Sequence, residues 1–229
     1  LMASQMAEIR PQVSGIVLRR LFTEGGRVNA GQPLYQLDAA AFEAEHARAA
    51  AALQKAEAVR EAQAVRAARD AELLRVDAVS RQVADDSAAA LKQAEADVAV
   101  ARAALAATRV QLDRARITAP IGGRIEVSAV TPGALVTANQ ATALTTIQQL
   151  DPMHVDIVQS STEMLQLRRQ LQAQGEDASA SRKVQLVLED GSVHPQPATL
   201  QFTGVTVDRG TGAVTLRATV PNPQGTLLP

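Results

Sequence analysis

The stretch AAAFEAEHARAAAALQKAEAVREAQAVRAARDAELLRVDAVSRQVADDSAAALKQAEADVAVARAALAATRVQLDRA, residues 39–115, decides the fold. It is dense in Ala, Arg, Glu and Gln, and holds neither Gly nor Pro. Strong helix formers without the two main breakers predict a long α segment. One place interrupts it, Asp77-Ala78-Val79-Ser80. Ser80 is a good N-cap, and Asp85 and Asp86 would sit in the early turns of a second helix, where negative charge suits the dipole. Two helices of about 35 residues, each roughly 50 Å long, are expected. The second carries a seam, Leu91, Val98, Leu105 and Leu112, each followed three residues later by Ala94, Ala101, Thr108 or Ala115. That is an a/d heptad with small residues at d. In the first helix Ala52, Val59 and Leu73 keep a stride of seven, interrupted by Arg66. The expectation is an antiparallel α-hairpin, self-paired as a coiled coil with a charged, solvated exterior.

The flanks are Gly- and Pro-punctuated and rich in Val, Thr, Leu and Ile, which is strand-and-turn composition. They also repeat each other. With Gly15 set on Gly123, Val17 meets Ile125, Phe22 meets Val130, Thr23 meets Thr131, Gly25 meets Gly133 and Val28 meets Val136. Pro11 and Pro120 precede the two copies. Two half-motifs separated by an insertion predict one small β domain built from residues 9–38 and 116–149. The helices of 39–115 are then an excursion from it, with Asp38 and Arg116 close in space.

From residue 150 to 229 a second β domain is expected, a small barrel or sandwich. His154–Val158, Val184–Leu188, Thr199–Val207 and Ala213–Val220 read as strands. Asp190-Gly191 and Thr211-Gly212 read as turns. Ser160 with Glu163 forms a capping box ahead of Met164, Leu167 and Leu171, with Gly175 as the stop. Leu1-Met2-Ala3-Ser4 is read as not belonging to the native sequence. Thr226-Leu227-Leu228-Pro229 carries no terminating signal, so a piece of a longer chain is expected.

Composition excludes several function classes. Lys plus Arg number 23 against 24 Asp plus Glu, so there is no basic surplus for nucleic acid. Without Cys, thiolate metal sites and thiol chemistry are ruled out. His46, His154 and His194 lack ligand-like spacing, and His154 reads as structural. Aromatics at 2% leave no stacking platform. No apolar run has the length of a membrane span, and no signal peptide is visible. Gly25-Gly26 and Gly122-Gly123 do not open helices and are turn glycines, not phosphate cradles. Asp85 and Asp86 point apart on a helix, so they are no acid–base pair. Met153 and Met164 read as core. The chain reads as no enzyme, with no cofactor and no metal.

The half-motifs Arg10-Pro-Gln-Val-Ser-Gly-Ile16, Glu24-Gly-Gly-Arg-Val-Asn-Ala-Gly-Gln-Pro-Leu34 and Thr118-Ala-Pro-Ile-Gly-Gly-Arg124 resemble the split lipoyl (biotinyl-lipoyl-like) domain of periplasmic adaptor proteins, also called membrane fusion proteins. Val207-Asp-Arg-Gly-Thr-Gly-Ala-Val-Thr-Leu-Arg217 with Pro221-Asn-Pro223 resembles the β-barrel domain of adaptors serving RND (resistance-nodulation-division) multidrug efflux pumps of the AcrA and MexA type. The resemblance runs from about Ala7 onward. It implies an elongated, multi-domain, mixed α and β fold, with the family's membrane-proximal domain absent from this stretch. Gly15, Gly25, Gly31, Gly123 and Gly133 would be the glycines of the lipoyl half-motifs. Arg69, Leu73 and Ser80 match the family's tip motif, which docks onto an outer-membrane channel. Arg69 and Leu73 are one helical turn apart and share a face. Lys55, Lys92 and Lys183 are the lysines, and none lies at Asp38 or Arg116, so lipoate or biotin carriage is not expected. The implied partners are an inner-membrane RND transporter, an outer-membrane channel, and further copies of the chain in a hexameric ring. The implied location is the periplasm, attached to the inner membrane by an N-terminal anchor outside this stretch. An adaptor for an ABC-type exporter or a type I secretion system stays open as the alternative, as do a lipoyl-like carrier subunit and a coiled-coil scaffold.

Overall fold

The computed structural model describes residues 1–164, 166, 182–188, 191–201 and 212–229. Its strands are β1 (Met2–Ile9), β2 (Gly15–Arg20), β3 (Arg27–Val28), β4 (Pro33–Leu37), β5 (Arg116–Thr118), β6 (Gly123–Ile125), β7 (Leu135–Val136), β8 (Thr145–Ser160), β9 (Arg182–Val184), β10 (Ala198–Gln201) and β11 (Ala213–Val220). Between β4 and β5 run α1 (Ala40–Arg75) and α2 (Arg81–Arg114).

The first β unit is built from two interleaved halves. β2 pairs with β7, and β6 with β3, so each half lends a strand to the other. Hydrogen bonds repeat under the same exchange. Gly25 N–H donates to Ile125 O, and Gly133 N–H to Val17 O. Gly31 N–H donates to Ala119 O, and Asn139 N–H to Pro11 O. Asn29 N–H is held by Gln32 Oε1, and Thr137 N–H by Gln140 Oε1. The molecule therefore carries a pseudo-twofold axis through a core of Val17, Val28, Leu34, Tyr35, Leu37, Ile125, Val136, Leu144 and Ile147. Burial of these side chains is what closes the unit, at about 25 cal/mol per Å² of apolar surface.

The helices leave and re-enter through neighbouring strands: Gln36 is the register partner of Arg116, and Leu37 N–H donates to Ala115 O. They pack antiparallel, with His46 facing Thr108 (3.1 Å) and Glu57 facing Arg102 (3.5 Å). On α2 the inward row is Ser87, Leu91, Ala94, Val98, Ala101, Leu105, Thr108 and Leu112; Ser87, Ala94 and Val98 are buried, and the leucines are half-buried. The inward row of α1 is not Ala52, Val59 and Leu73. Ala52 and Val59 are exposed. The inward row is Phe42, His46, Ala49, Leu53, Ala56, Gln63, Ala67, Asp70 and Leu74, all half-buried, in a 4-3 alternation that Arg60 completes while itself exposed; Ala50, Glu57, Ala64 and Leu73 are half-buried beside it. Polar residues in that row hide the heptad from a count of apolar side chains.

Strand β8 runs through residue 150 without a break, so the two β units share one strand and no linker separates them. Its first part pairs with β6 and its second with β11. At the start of the chain, β1 pairs with β8 from Met2↔His154 to Ile9↔Thr145, so Met2 and Ala3 take part in the ladder. The second core gathers Met153, Met164, Ala198, Leu200, Val214, Leu216, Ala218, Val220 and Leu227. The strand read at Val184–Leu188 is divided, with β9 ending at Val184 and an isolated bridge joining Val187 to Val193. Ser160 Oγ accepts from Glu163 N–H (3.2 Å), and Glu163 Oε2 from Ser160 N–H (3.4 Å), a capping box. Leu167, Leu171 and Gly175, residues 202–207 of the strand read at Thr199–Val207, and the turn residues Asp190 and Thr211 lie outside the described residues.

Candidate partner-docking surfaces

At the far end of the helices, α1 stops because its last carbonyls are taken by a tight turn. Leu73 O accepts from Val76 N–H (3.3 Å) and Ala78 N–H (2.9 Å), and Asp77 adopts a left-handed φ of 57°. Ser80 is extended, and its Oγ accepts from Val83 N–H (3.3 Å), capping α2. Arg69, Leu73 and Ser80 thus come to one end of the molecule. Arg69 is exposed with no ion-pair partner among the described residues, Leu73 is half-buried beside the seam, and Ser80 is exposed. Sequence reading passed over Val76, 71% exposed, and Val83, 40% exposed, which add apolar surface at the same end. Valine in a helical run reads as seam until the register is known. Asp85 and Asp86 lie in the second turn of α2, exposed.

The pseudo-twofold relates two β faces of opposite chemistry. On one, Ile16 (45% exposed) is the register partner of Leu135 (71% exposed), with Leu18 alongside. At the equivalent place on the other, Arg124 partners Arg27. One face is apolar, and the other is cationic and borders a cleft of about 500 Å³ lined by Asn29, Asp151, Asn222 and Gln224. Among the described residues no group of His, Cys, Asp and Glu is placed to hold a metal ion. The glycines Gly25, Gly31 and Gly133 take left-handed φ in turns, and Gly15 and Gly123 lie at strand starts. All five shape backbone, and Gly25 and Gly123 also line the cleft beside Arg27 and Arg124.

Ionisable groups are tuned for structure. Asp156 is held below the usual carboxylate range by two hydrogen bonds from Arg217, at 2.8 and 3.0 Å. His154 contacts Thr219 Oγ1 at 3.4 Å, and His194, buried, hydrogen-bonds Pro221 O at 3.1 Å. Tyr35 is buried in the first core; its hydroxyl lies 2.6 Å from Ser128 Oγ, and its ring meets Phe22 edge-on at 5.3 Å. Burial pushes its phenol up, against a lowering pull from the Ser128 hydrogen bond. A raised native value means that the stability Tyr35 contributes is intact below the ordinary phenol value of about 10 and is lost as pH rises through the native one. The chain has one Tyr and no Trp, so phenolate absorbance reports this group alone. It is expected to titrate above the free phenol and together with alkaline unfolding. A titration at the ordinary value with the fold intact would refute the buried placement.

The architecture is a long helical pair with an exposed far end, set on a two-half β unit that shares a strand with a second β unit. The chain belongs to the RND membrane fusion proteins. The barrel-sandwich hybrid domain of that family matches residues 5–148, and its β-barrel domain matches residues 152–229. Among relatives, it is 46% identical over 228 residues to the multidrug export protein AcrE of Escherichia coli K12, covering 99% of this chain and 59% of that protein. It is 46% identical over 229 residues to the multidrug efflux pump subunit AcrA of the same organism, covering 99% of this chain and 57% of AcrA. To the multidrug resistance protein MexA of Pseudomonas aeruginosa it is 47% identical over 232 residues, 99% of this chain and 56% of MexA. The chain therefore spans less than three-fifths of these relatives' length. In fold it is similar to the membrane fusion protein Spr0693 of Streptococcus pneumoniae, with a TM-score of 0.71 at 15% identity over 99% of this chain and 93% of that one. It is also similar to a MacA-MexA chimera carrying the MexA α-hairpin of Pseudomonas aeruginosa, with a TM-score of 0.60 at 24% identity over 99% of this chain and 75% of that one. No helix among the described residues is long and apolar enough to cross a membrane.

Proposed function

We propose that this chain is the periplasmic adaptor part of a tripartite multidrug efflux pump, bridging an inner-membrane RND transporter to an outer-membrane channel. The observation that carries the reading is the match of both family domains in order, the first of them containing the helical pair with its exposed far end. The α-hairpin inserted between the two lipoyl-like halves supplies reach, about 50 Å at 1.5 Å per residue. Arg69, Leu73 and Ser80 at its tip meet the channel. The lipoyl-like domain of residues 9–38 and 116–149 packs sideways against further copies, six in a ring, and the barrel domain of 150–229 turns toward the transporter. Individual contacts are modest, and their number makes the assembly hold. An N-terminal anchor on the full protein would fix it to the inner membrane, and the chain does no catalysis. The RND β-barrel match over residues 152–229 favours this partner over an ABC-type exporter or a type I secretion system.

The test is cross-linking in cells with the full-length protein. This stretch has no cysteine, so Leu73→Cys and Ser80→Cys are clean probes, and Ala52→Cys, exposed at mid-helix, is the matched control. Capture of an outer-membrane channel at 73 and 80 but not at 52 is expected. No capture at the tip in a strain with working efflux would sink the bridging role.

A further inference from the structure

The seam between the two helices changes character along its length. Near the β unit it holds Phe42, Leu53, Val98, Leu105 and Leu112, with His46 satisfied by Thr108. Farther out, α1 presents Gln63, Ala67 and Asp70, and α2 presents Ser87, Leu91 and Ala94. Two buried acceptor atoms there have no hydrogen-bond partner: Gln63 Oε1 and Asp70 Oδ2. They lie seven residues apart, hence on the same stripe of α1. Among the described residues Asp70 forms an ion pair with Arg66, whose Nε stands 3.8 Å from Oδ2, a distance beyond hydrogen bonding, on a side chain 67% exposed. Ser87 does not serve Asp70, because its hydroxyl donates to Ala84 O (3.0 Å) within α2.

A buried acceptor without a donor is unfavourable, and Ala67, Ser87 and Ala94 return little apolar burial in exchange, which leaves the half-buried Leu74 and Leu91 as the apolar contacts holding this part closed. Opening this part of the seam to water satisfies both acceptors at once. Opening the inner part would expose Phe42, Leu53, Val98, Leu105 and Leu112 with no such return. We infer that residues 63–75 of α1 and 81–94 of α2 form a separate opening unit, which parts and recloses while the inner seam stays zipped. Such local opening is drawn from the least stable part of a fold. It gives the tip a freedom of approach that a uniformly packed coiled coil lacks. The inference concerns the helices alone and stands whether or not the tip meets a channel.

Amide hydrogen exchange on the whole chain tests it. Amides of 63–75 and 84–94 are expected to exchange at least about tenfold faster than those of 44–56 and 98–112, in one correlated block and not as a gradient fraying from the loop. The double change Gln63→Leu with Asp70→Leu should slow the outer block by about tenfold to a hundredfold and leave the inner block alone. Gln63→Ala with Asp70→Ala should act in the same direction without added apolar bulk. Gln82→Ala with Asp85→Ala, the same residue types at exposed sites, should not. Equal protection of the two blocks in the native chain, or an outer block unmoved by both double changes, would overturn the inference.

Discussion

Gly123→Ala is expected to cost about 3 kcal/mol and to lower Tm by about 10 °C, while Gly15→Ala stays within about 1 kcal/mol. The two glycines are equivalent in the repeat, so the contrast isolates their surroundings. A Cβ on Gly123 would lie 2.3 Å from Gln148 O, 2.8 Å from its carbonyl carbon and 3.1 Å from Gln149 N. These are backbone atoms of β8, and no rotamer change can move them aside. The strand pair has to separate at Arg124↔Gln148 and Ile125↔Ile147, where two fully buried isoleucines meet the first core. A Cβ on Gly15 meets Leu37 Cβ at 3.5 Å, ordinary contact, with φ outside the left-handed region. The asymmetry has a cause in the fold. Only the second half-motif carries β8 across its strand start, because β8 goes on to build the second unit. Denaturant unfolding of both variants checks this, and equal losses would show that the β6–β8 approach is not the constraint.

What the sequence discloses is whatever is local or repeated. The α2 seam is legible because Leu and Val recur every seven residues with alanine between them. The α1 seam is not, because its row includes His46, Arg60, Gln63 and Asp70, and apolar Val59 faces solvent. The half-motif repeat is legible through Gly25 and Gly133. Its extension is masked where Asn139, at φ 55°, stands in for Gly31, since asparagine tolerates the left-handed region that glycine takes freely. Pairing of β1 with β8 joins residues far apart along the chain, from Met2 with His154 to Ile9 with Thr145, and eight residues of weakly alternating character give no local sign of it. The mixed α and β class with a barrel-sandwich and a β-barrel domain was within reach of motif resemblance. The chemistry of the two β faces was not, because Ile16 and Leu135, or Arg27 and Arg124, become neighbours only through the strand exchange. The tip residues were singled out by resemblance, and the turn that gathers them depends on Asp77, a left-handed position that residue type alone does not announce.

Asn222→Ala is expected to cost about 3–5 kcal/mol, although Asn222 lies outside both cores' apolar contacts. It is 2% exposed, and its side chain is fully engaged. The amide nitrogen donates to Leu150 O (3.0 Å) and Leu227 O (2.9 Å), and lies 3.3 Å from Met153 Sδ. Its oxygen accepts from Leu227 N–H (3.1 Å) and Thr226 Oγ1 (3.4 Å). Its own N–H donates to Asp151 Oδ1 (2.8 Å). One residue therefore ties the middle of β8, where the two units join, to the segment that buries Leu227. Pro221 and Pro223 on either side hold the backbone near its bound conformation, so little entropy opposes the contacts. Alanine removes the side chain and leaves two carbonyls and one N–H without their partner, each costing about 1–3 kcal/mol where neither water from the neighbouring cleft nor detachment of the segment relieves it. Detachment is the relief the chain should take: the 222–229 segment lifts from β8, and Leu227 becomes exposed. Thr226→Ala, which removes one long hydrogen bond, should stay within about 1 kcal/mol. Unfolding measurements give the energies, and limited proteolysis within 222–229 reports the detachment. If Asn222→Ala matches Thr226→Ala in both readouts, the network does not join the two units.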